Sequence, residues 1–234
     1  MRDYVAGKAW KQEKYKRMLE AGFNLFSERG IEQVTMPEVA QASSVGRATL
    51  FRYFPSKMEL VIAIGVWKWE EYIDWNNSVI SPEEKAQMTG AERLRLFLDS
   101  FVDLYRNHRD ILRFNYNFNS FLHYESSALR QKQPYLQIVE KLDERFRELY
   151  QCGIADGTLN AEISEHAMFF GSFHLMLAAA TRYAVGLVVV YDDNSDPENE
   201  LRMLEDLLLT RFTNICPFQP KIGEPMAENL DLAL

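Results

Sequence analysis

Residues 35–57 read TMPEVAQASSVGRATLFRYFPSK, and the stretch divides into two short helices around a tight turn. Thr35 is a favourable N-cap and Glu38 follows three residues later, the spacing at which each can satisfy an exposed first-turn group of the other. Pro37 is tolerated because the first turn needs no amide there. Val39, Ala40 and Ala42 give this first helix a small apolar face. Ser43 to Gly46 interrupt it, and a second helix is predicted over residues 48–54, closed by Pro55, which cannot continue the backbone ladder. Leu50 and Phe54, spaced i and i+4, should face inward. Arg47, Thr49, Arg52 and Tyr53 are left on the outer side, so the second helix is shaped to be presented to a partner.

Thr35, Val39, Ala40, Ser43, Val45, Ala48, Thr49, Leu50, Tyr53, Phe54, Ser56 and Lys57 stand in the order and register of the helix-turn-helix of the TetR family of bacterial repressors, which the chain resembles. Three positions depart from the family pattern. Ser44 replaces a turn glycine, Gly46 replaces the serine that caps the recognition helix, and Phe51 replaces a phosphate-binding tyrosine. A left-handed Ser44 would cost roughly 1 to 2 kcal/mol. The resemblance implies an all-α protein, with an N-terminal three-helix DNA-binding domain followed by an α-helical ligand-binding and dimerisation domain. The boundaries expected are residues 1–57 for the head, with an arm over 1–10, then 58–215 for the body and 216–234 for a tail.

The charge distribution agrees with a DNA-facing head. The whole chain carries a formal charge of -8. Residues 1–57 nevertheless hold ten Lys/Arg and six Asp/Glu, net +4, which leaves 16 basic and 28 acidic residues and a net -12 for the rest. Positive charge gathered around a helix-turn-helix is the electrostatic footprint that a polyanionic duplex attracts. Cys152 and Cys216 are too few and too far apart for a disulfide framework or a metal motif, and no metal or cofactor is expected. The longest apolar run, residues 183–191, is about half a bilayer span. A cytoplasmic protein without membrane contact is the expectation.

Taken in order, residues 1–10 lack a period and read as a loose arm. From residue 11 to 29, Tyr15, Met18, Leu19, Phe23 and Phe26 recur at three and four, which predicts an amphipathic brace ended by Gly30. Ser56 is expected to cap a long helix over 57–79, broken by Ser81 and Pro82. Leu94, Phe97, Leu98, Phe101 and Leu104 mark the next. Residues 111–124, ILRFNYNFNSFLHY, alternate aromatics and amides with a strand-like period of two; a lone strand cannot satisfy its backbone, so a helix is preferred. A further helix follows Pro134, then the loop GIADGTL at 153–159, which recurs in the body of the family. Long helices over 162–190 and 198–215 come last, around a polar turn at 192–197. Gly171, Ala178, Ala179 and Ala180 allow close helix approach in the first of these. In the family resembled, two such late helices from each subunit form a four-helix dimer interface.

The residues expected to meet DNA are Thr35, Arg47, Ala48, Thr49, Phe51, Arg52, Tyr53 and Lys57. Arg47 and Arg52 are the candidates for bidentate pairing with guanine in the major groove; Thr35, Tyr53 and Lys57 would hold phosphates and set register. A dimer carrying two heads requires a double-stranded, partly palindromic operator. An apolar or aromatic inducer is expected in a pocket formed by Trp69, Tyr72, Phe101, Phe114, Tyr116, Phe118, Phe121 and His174, with plain core packing as the alternative for the aromatics. His174 alone on an apolar face reads first as a core residue. Four histidines and many carboxylates leave an enzyme conceivable, but no nucleophile motif, phosphate loop or metal spacing accompanies them, so no catalytic residue is assigned. A second reading is a helical small-molecule-binding protein whose head has lost DNA affinity through Ser44, Gly46 and Phe51.

Overall fold

Short polar residues set where the helices begin. Ser56 Oγ accepts the Glu59 amide at 3.2 Å, Ser81 Oγ that of Glu84 at 3.2 Å, and Thr89 Oγ1 that of Glu92 at 3.3 Å. Ser164 Oγ accepts the Ala167 amide at 3.3 Å and Asp196 Oδ1 the Glu198 amide at 3.0 Å. Each removes one of the orphan donors of a helix start. The computed structural model describes residues 2–124, 133–188 and 196–214. The described residues form α1 (Arg2–Arg29), α2 (Met36–Ala42), α3 (Arg47–Tyr53), α4 (Lys57–Ser78), α5 (Pro82–Gln87), α6 (Gly90–Asn107), α7 (Arg109–Tyr124), α8 (Gln133–Ala155), α9 (Glu165–Ala184) and α10 (Pro197–Phe212). The fold is all-helical, and the one β-type pairing among the described residues is an isolated bridge between Leu159 and Thr213.

Several boundaries differ from the sequence expectation. Residues 2–10 are the first turns of α1 rather than a loose arm, since a helix already nucleated downstream extends at small cost without needing an apolar stripe. Ser81 and Pro82 do not merely stop α4. Ser81 caps α5, with its own amide donating to Glu84 Oε2 at 3.0 Å. The long helix expected over 162–190 is shorter, α9 ending where Gly186 takes a left-handed φ of 72°. Most of the polar turn at 192–197 and the tail at 216–234 lie outside the described residues.

The ambiguous 111–124 segment falls within a helix. Ile111, Leu112, Phe114, Asn115, Phe118 and Leu122 are its buried positions, a three-and-four spacing that gives one wide inner face. α7 packs on α1, α4, α6 and α9, which explains that width. Asn115 is buried and its Oδ1 accepts the Tyr135 hydroxyl at 3.2 Å, while Asn117 Nδ2 donates to the Phe26 carbonyl at 3.2 Å. Asn115 and Asn117 thus serve as helix-to-helix ties, while Asn119 is exposed.

Two close approaches hold the frame. A Cβ on Gly22 would stand 2.6 Å from Ile64 Cδ1, so α1 and α4 cross where any larger residue would have to displace the Ile64 side chain. A Cβ on Gly90 would stand 2.0 Å from Gly153 Cα, placing the start of α6 directly against the backbone of α8. Asp156 beside this crossing accepts the Gly90 amide at 2.8 Å, and Thr158 Oγ1 accepts that of Ala91 at 3.0 Å. The GIADGTL stretch is therefore the end of α8 and the clasp that holds it to α6.

Candidate functional site

Thr35 stands at the N-cap of α2 in extended geometry, and the Glu38 carboxylate accepts both its amide and its hydroxyl at 2.7 Å. Arg29 Nη2 reaches the other Glu38 oxygen at 2.8 Å. The hydrogen bonds from Thr35, first the amide and then the hydroxyl, with Arg29 behind them, lower the Glu38 pKa to about 2. α2 is thereby fixed to the end of α1. The turn after it places Ser44 at φ 55°, the one non-glycine residue with positive φ among the described residues. Gly46 then caps α3 with no side chain to offer.

Leu50 anchors α3 in the core with no exposed surface, and Phe54 closes it. The opposite face is open: Arg47, Ala48, Phe51 and Arg52 are exposed, Thr49 and Tyr53 half-buried, and Thr35 lies exposed nearby. Arg47 and Arg52 have no ion-pair partner among the described residues. The Arg52 guanidinium lies 5.9 Å from the Tyr53 ring, which packs against Tyr15 of α1. Two unpaired guanidiniums on one short exposed helix, on a head of net +4, can address an anionic groove.

Lys57 is placed differently from the expectation. Its Nζ donates to the Glu32 carbonyl at 3.3 Å and lies 5.9 Å from the Phe121 ring. Burial lowers its pKa, against the opposing pull of Glu32 and Glu38. It joins the head to α4 and α7, and its ammonium faces the protein.

A cavity of about 190 Å³ lies between α4, α5, α6, α8 and α9. Trp69, Tyr72 and Ile73 of α4 form one wall, Phe97 and Phe101 of α6 another, with Phe146 of α8 and Phe173 of α9 completing it. The rings meet edge to face: Trp69 and Tyr72 at 6.3 Å between centroids, Phe97 and Phe146 at 5.1 Å, Phe101 and Phe173 at 5.9 Å. That arrangement suits the ring quadrupoles and stiffens the lining. The Tyr72 hydroxyl donates to the Ser100 carbonyl at 2.6 Å and lies 3.3 Å from Asp103 Oδ2. Burial, reinforced by the Asp103 charge, pushes its pKa well up, so it stays a neutral donor.

Of the eight aromatic residues expected at a ligand site, Trp69, Tyr72 and Phe101 share this cavity. Phe114 and Phe118 do not. They are fully buried in solid packing of α7, Phe114 against Phe23 at 5.6 Å and Phe118 against Tyr135 at 4.6 Å. Phe121 lies at the joint with Lys57. Tyr116 and His174 are exposed and line a separate shallow groove between α7 and α9, so His174 is not a core residue. Its half-turn places it on the outer side of α9, opposite the buried Ser172 and Met176. Phe97, Phe146 and Phe173, together with Lys85, Arg93 and Arg145, line the cavity and were not foreseen. The available signal was the regular stripe of α6, which places Arg93 and Phe97 one turn apart on one side.

Comparison with known proteins bears on both parts. Residues 18–64 match the model described as "Bacterial regulatory proteins, tetR family". The HTH-type transcriptional repressor KstR of Rhodococcus jostii (strain RHA1) is 44% identical over 52 residues, 22% of this chain and 24% of that protein. The match thus spans about a quarter of that repressor's length. Over the whole fold, the FadR transcriptional regulator of Bacillus subtilis, solved in complex with stearoyl-CoA, superposes with a TM-score of 0.65 at 18% identity, covering 84% of this chain and 98% of that one. A transcriptional regulator from Saccharomonospora viridis in complex with choline superposes at 0.69 and 14% identity, covering 86% and 98%.

Proposed function

Since the chain belongs to the TetR family of bacterial regulatory proteins, we propose that it is a ligand-responsive, DNA-binding transcriptional repressor that works as a homodimer and is released from a palindromic operator by a small molecule. The observation that carries this reading is the unpaired Arg47 and Arg52 on the exposed face of α3. Arg47 and Arg52 read base edges, Ala48, Thr49 and Phe51 pack along the groove wall, and Thr35 and Tyr53 meet phosphates. Lys57 contributes charge near the backbone while bracing the head. Residues 1–57 act as the DNA-binding domain, 58–215 as the ligand-binding and dimerisation domain, and 216–234 as a tail.

α4 links the two activities. Its first half carries Leu60, Val61 and Ile64 into the core beside α1, and its second half supplies Trp69, Tyr72 and Ile73 to the cavity. At 1.5 Å rise per residue, Ile64 and Trp69 are only about 7.5 Å apart along the axis. An effector that prefers a cavity shape in which α4 is displaced re-aims α3 by the same displacement. It lowers operator affinity by its differential affinity for the two shapes, typically about 1 to 3 kcal/mol.

A second copy of the chain is assigned to α9 and α10, which expose Leu175, Met203 and Leu207, with Leu187 just beyond α9. Apolar side chains gathered on two neighbouring helices of one protomer mark an association surface. The two solved neighbours hold an acyl-CoA and a choline, ligands of opposite charge, so the fold alone does not specify the effector here. Among the described residues no helix is long and apolar enough to cross a membrane. Nuclease footprinting on DNA flanking the chain's own gene tests the reading. Two protected half-sites about 34 Å apart, or a multiple of that, are expected; uniform or absent protection in a dimeric preparation favours a binding protein with an inactive head.

A further inference from the structure

The cavity between α4, α6 and α8 has a charge pattern that its surroundings do not share. Lys85, Arg93 and Arg145 all line it, and no aspartate or glutamate does. Beyond residue 57 the chain holds 28 acidic and 16 basic residues, so a lining with three cations and no acid runs against the local composition. Asp156, outside the lining, acts on Arg93 through its charge, but among the described residues no carboxylate pairs directly with any of the three. Arg93 Nη2 donates to the Lys85 carbonyl at 2.7 Å, and Arg93 Nε is buried with no partner. Lys85 and Arg145 are exposed, while Trp69, Phe101 and Phe146 are buried, so the positive charge lies at the solvent end and the apolar surface at the inner end.

We propose that the effector is an anionic amphiphile, its apolar body among the aromatic side chains and its carboxylate or phosphate held by Arg93, Arg145 and Lys85. This deepens the effector-site reading above and rests on it. Guanidinium groups hold carboxylate and phosphate through paired, charge-assisted hydrogen bonds, and a cationic rim above low-dielectric walls focuses that attraction. A neutral hydroxyl also accepts from a guanidinium, but without the charge assistance that roughly doubles the strength of the bond, which disfavours a neutral occupant. The cavity of about 190 Å³ is somewhat larger than the ~150 Å³ that admits benzene, so the body is a single ring or a chain of similar bulk, with the head outside it.

The test is calorimetric titration of the full chain, without DNA, with octanoate, octanoyl-CoA and octan-1-ol. At least one anion is expected to bind about tenfold or more tightly than the alcohol. That advantage shrinks at about 1 M salt, where the screening length is ~3 Å. Octanoate ahead of octanoyl-CoA identifies a free carboxylate as the head, and the reverse order a phosphate-bearing carrier; both support the proposal. Arg145→Gln, at an exposed position where folding is checked by an unchanged melting temperature, lowers affinity for the preferred anion more than for the alcohol. An alcohol that binds as tightly as both anions, no binding by any of the three, or an anion preference that survives both Arg145→Gln and Arg93→Gln overturns it. Because DNA is absent, these failures leave operator binding untouched; a protein that prefers anions yet fails to footprint loses only the repressor reading.

Discussion

Replacing Ser44 with glycine should stabilise the head. Ser44 holds φ 55° in the turn between α2 and α3, where a β-carbon crowds the following carbonyl at a cost of roughly 1–2 kcal/mol. Its amide donates to the Gln41 carbonyl at 3.0 Å, a bond that glycine keeps, and the side chain is exposed. Glycine returns about 0.5–1 kcal/mol of the gain through the larger entropy of its unfolded chain. The difference of the mid-range values is a net stabilisation of about 0.75 kcal/mol, equivalent to a melting shift of about 2 °C for a chain of this size. Urea unfolding followed by circular dichroism, at equal protein concentration, measures it. Ser44→Ala is the control, since it keeps the strain and should change stability by less than about 0.5 kcal/mol. A Ser44→Gly protein no more stable than the parent, or an alanine variant that gains as much, refutes the claim that the turn is strained at this residue.

Three further outcomes follow from the packing and the charges. Gly90→Ala sets a β-carbon against the Gly153 backbone at 2.0 Å and should cost at least about 2–3 kcal/mol in urea unfolding, with weaker effector binding, because α6 and α8 line the cavity. Glu38 has a folded pKa lowered to about 2 from an ordinary value of 4.5, so its charged form stabilises the head above about pH 4.5 and that contribution fades as pH falls toward 2; the stability difference between the parent and Glu38→Gln should be largest near neutrality and close over that window. Leu207→Glu, at one of the most exposed apolar positions of α10, should shift the solution mass measured by light scattering toward a single subunit while leaving the helical content unchanged.

The head was readable from sequence because each of its residue types answers a local demand. Thr35 and Glu38 cap α2, Pro55 ends α3, and Leu50 with Phe54 fill one side, so geometry within a few residues decides the outcome. The contacts of the Lys57 side chain were not legible because its partners, Glu32 and Phe121, are set by tertiary packing. The cavity was readable only in part for the same reason. Its wall joins Trp69, Arg93, Phe101, Phe146 and Phe173, which no periodicity places together. The aromatics of residues 111–124 lie outside this cavity, since α7 packs on four helices and Phe114 and Phe118 are consumed in that packing while Tyr116 faces a separate groove. α5 escaped because six residues with no buried side chain carry no apolar period to detect.

The claim on which the account rests is that the outer face of α3 reads DNA. Fluorescence anisotropy at fixed salt, comparing the parent with Arg47→Ala and Arg52→Ala on the footprinted duplex and on a scrambled one, tests it directly. The account predicts that one or both substitutions lose roughly 1–3 kcal/mol on the true site, that the preference over the scrambled duplex narrows accordingly, and that the melting temperatures do not change. Variants that bind both duplexes as the parent does would contradict it.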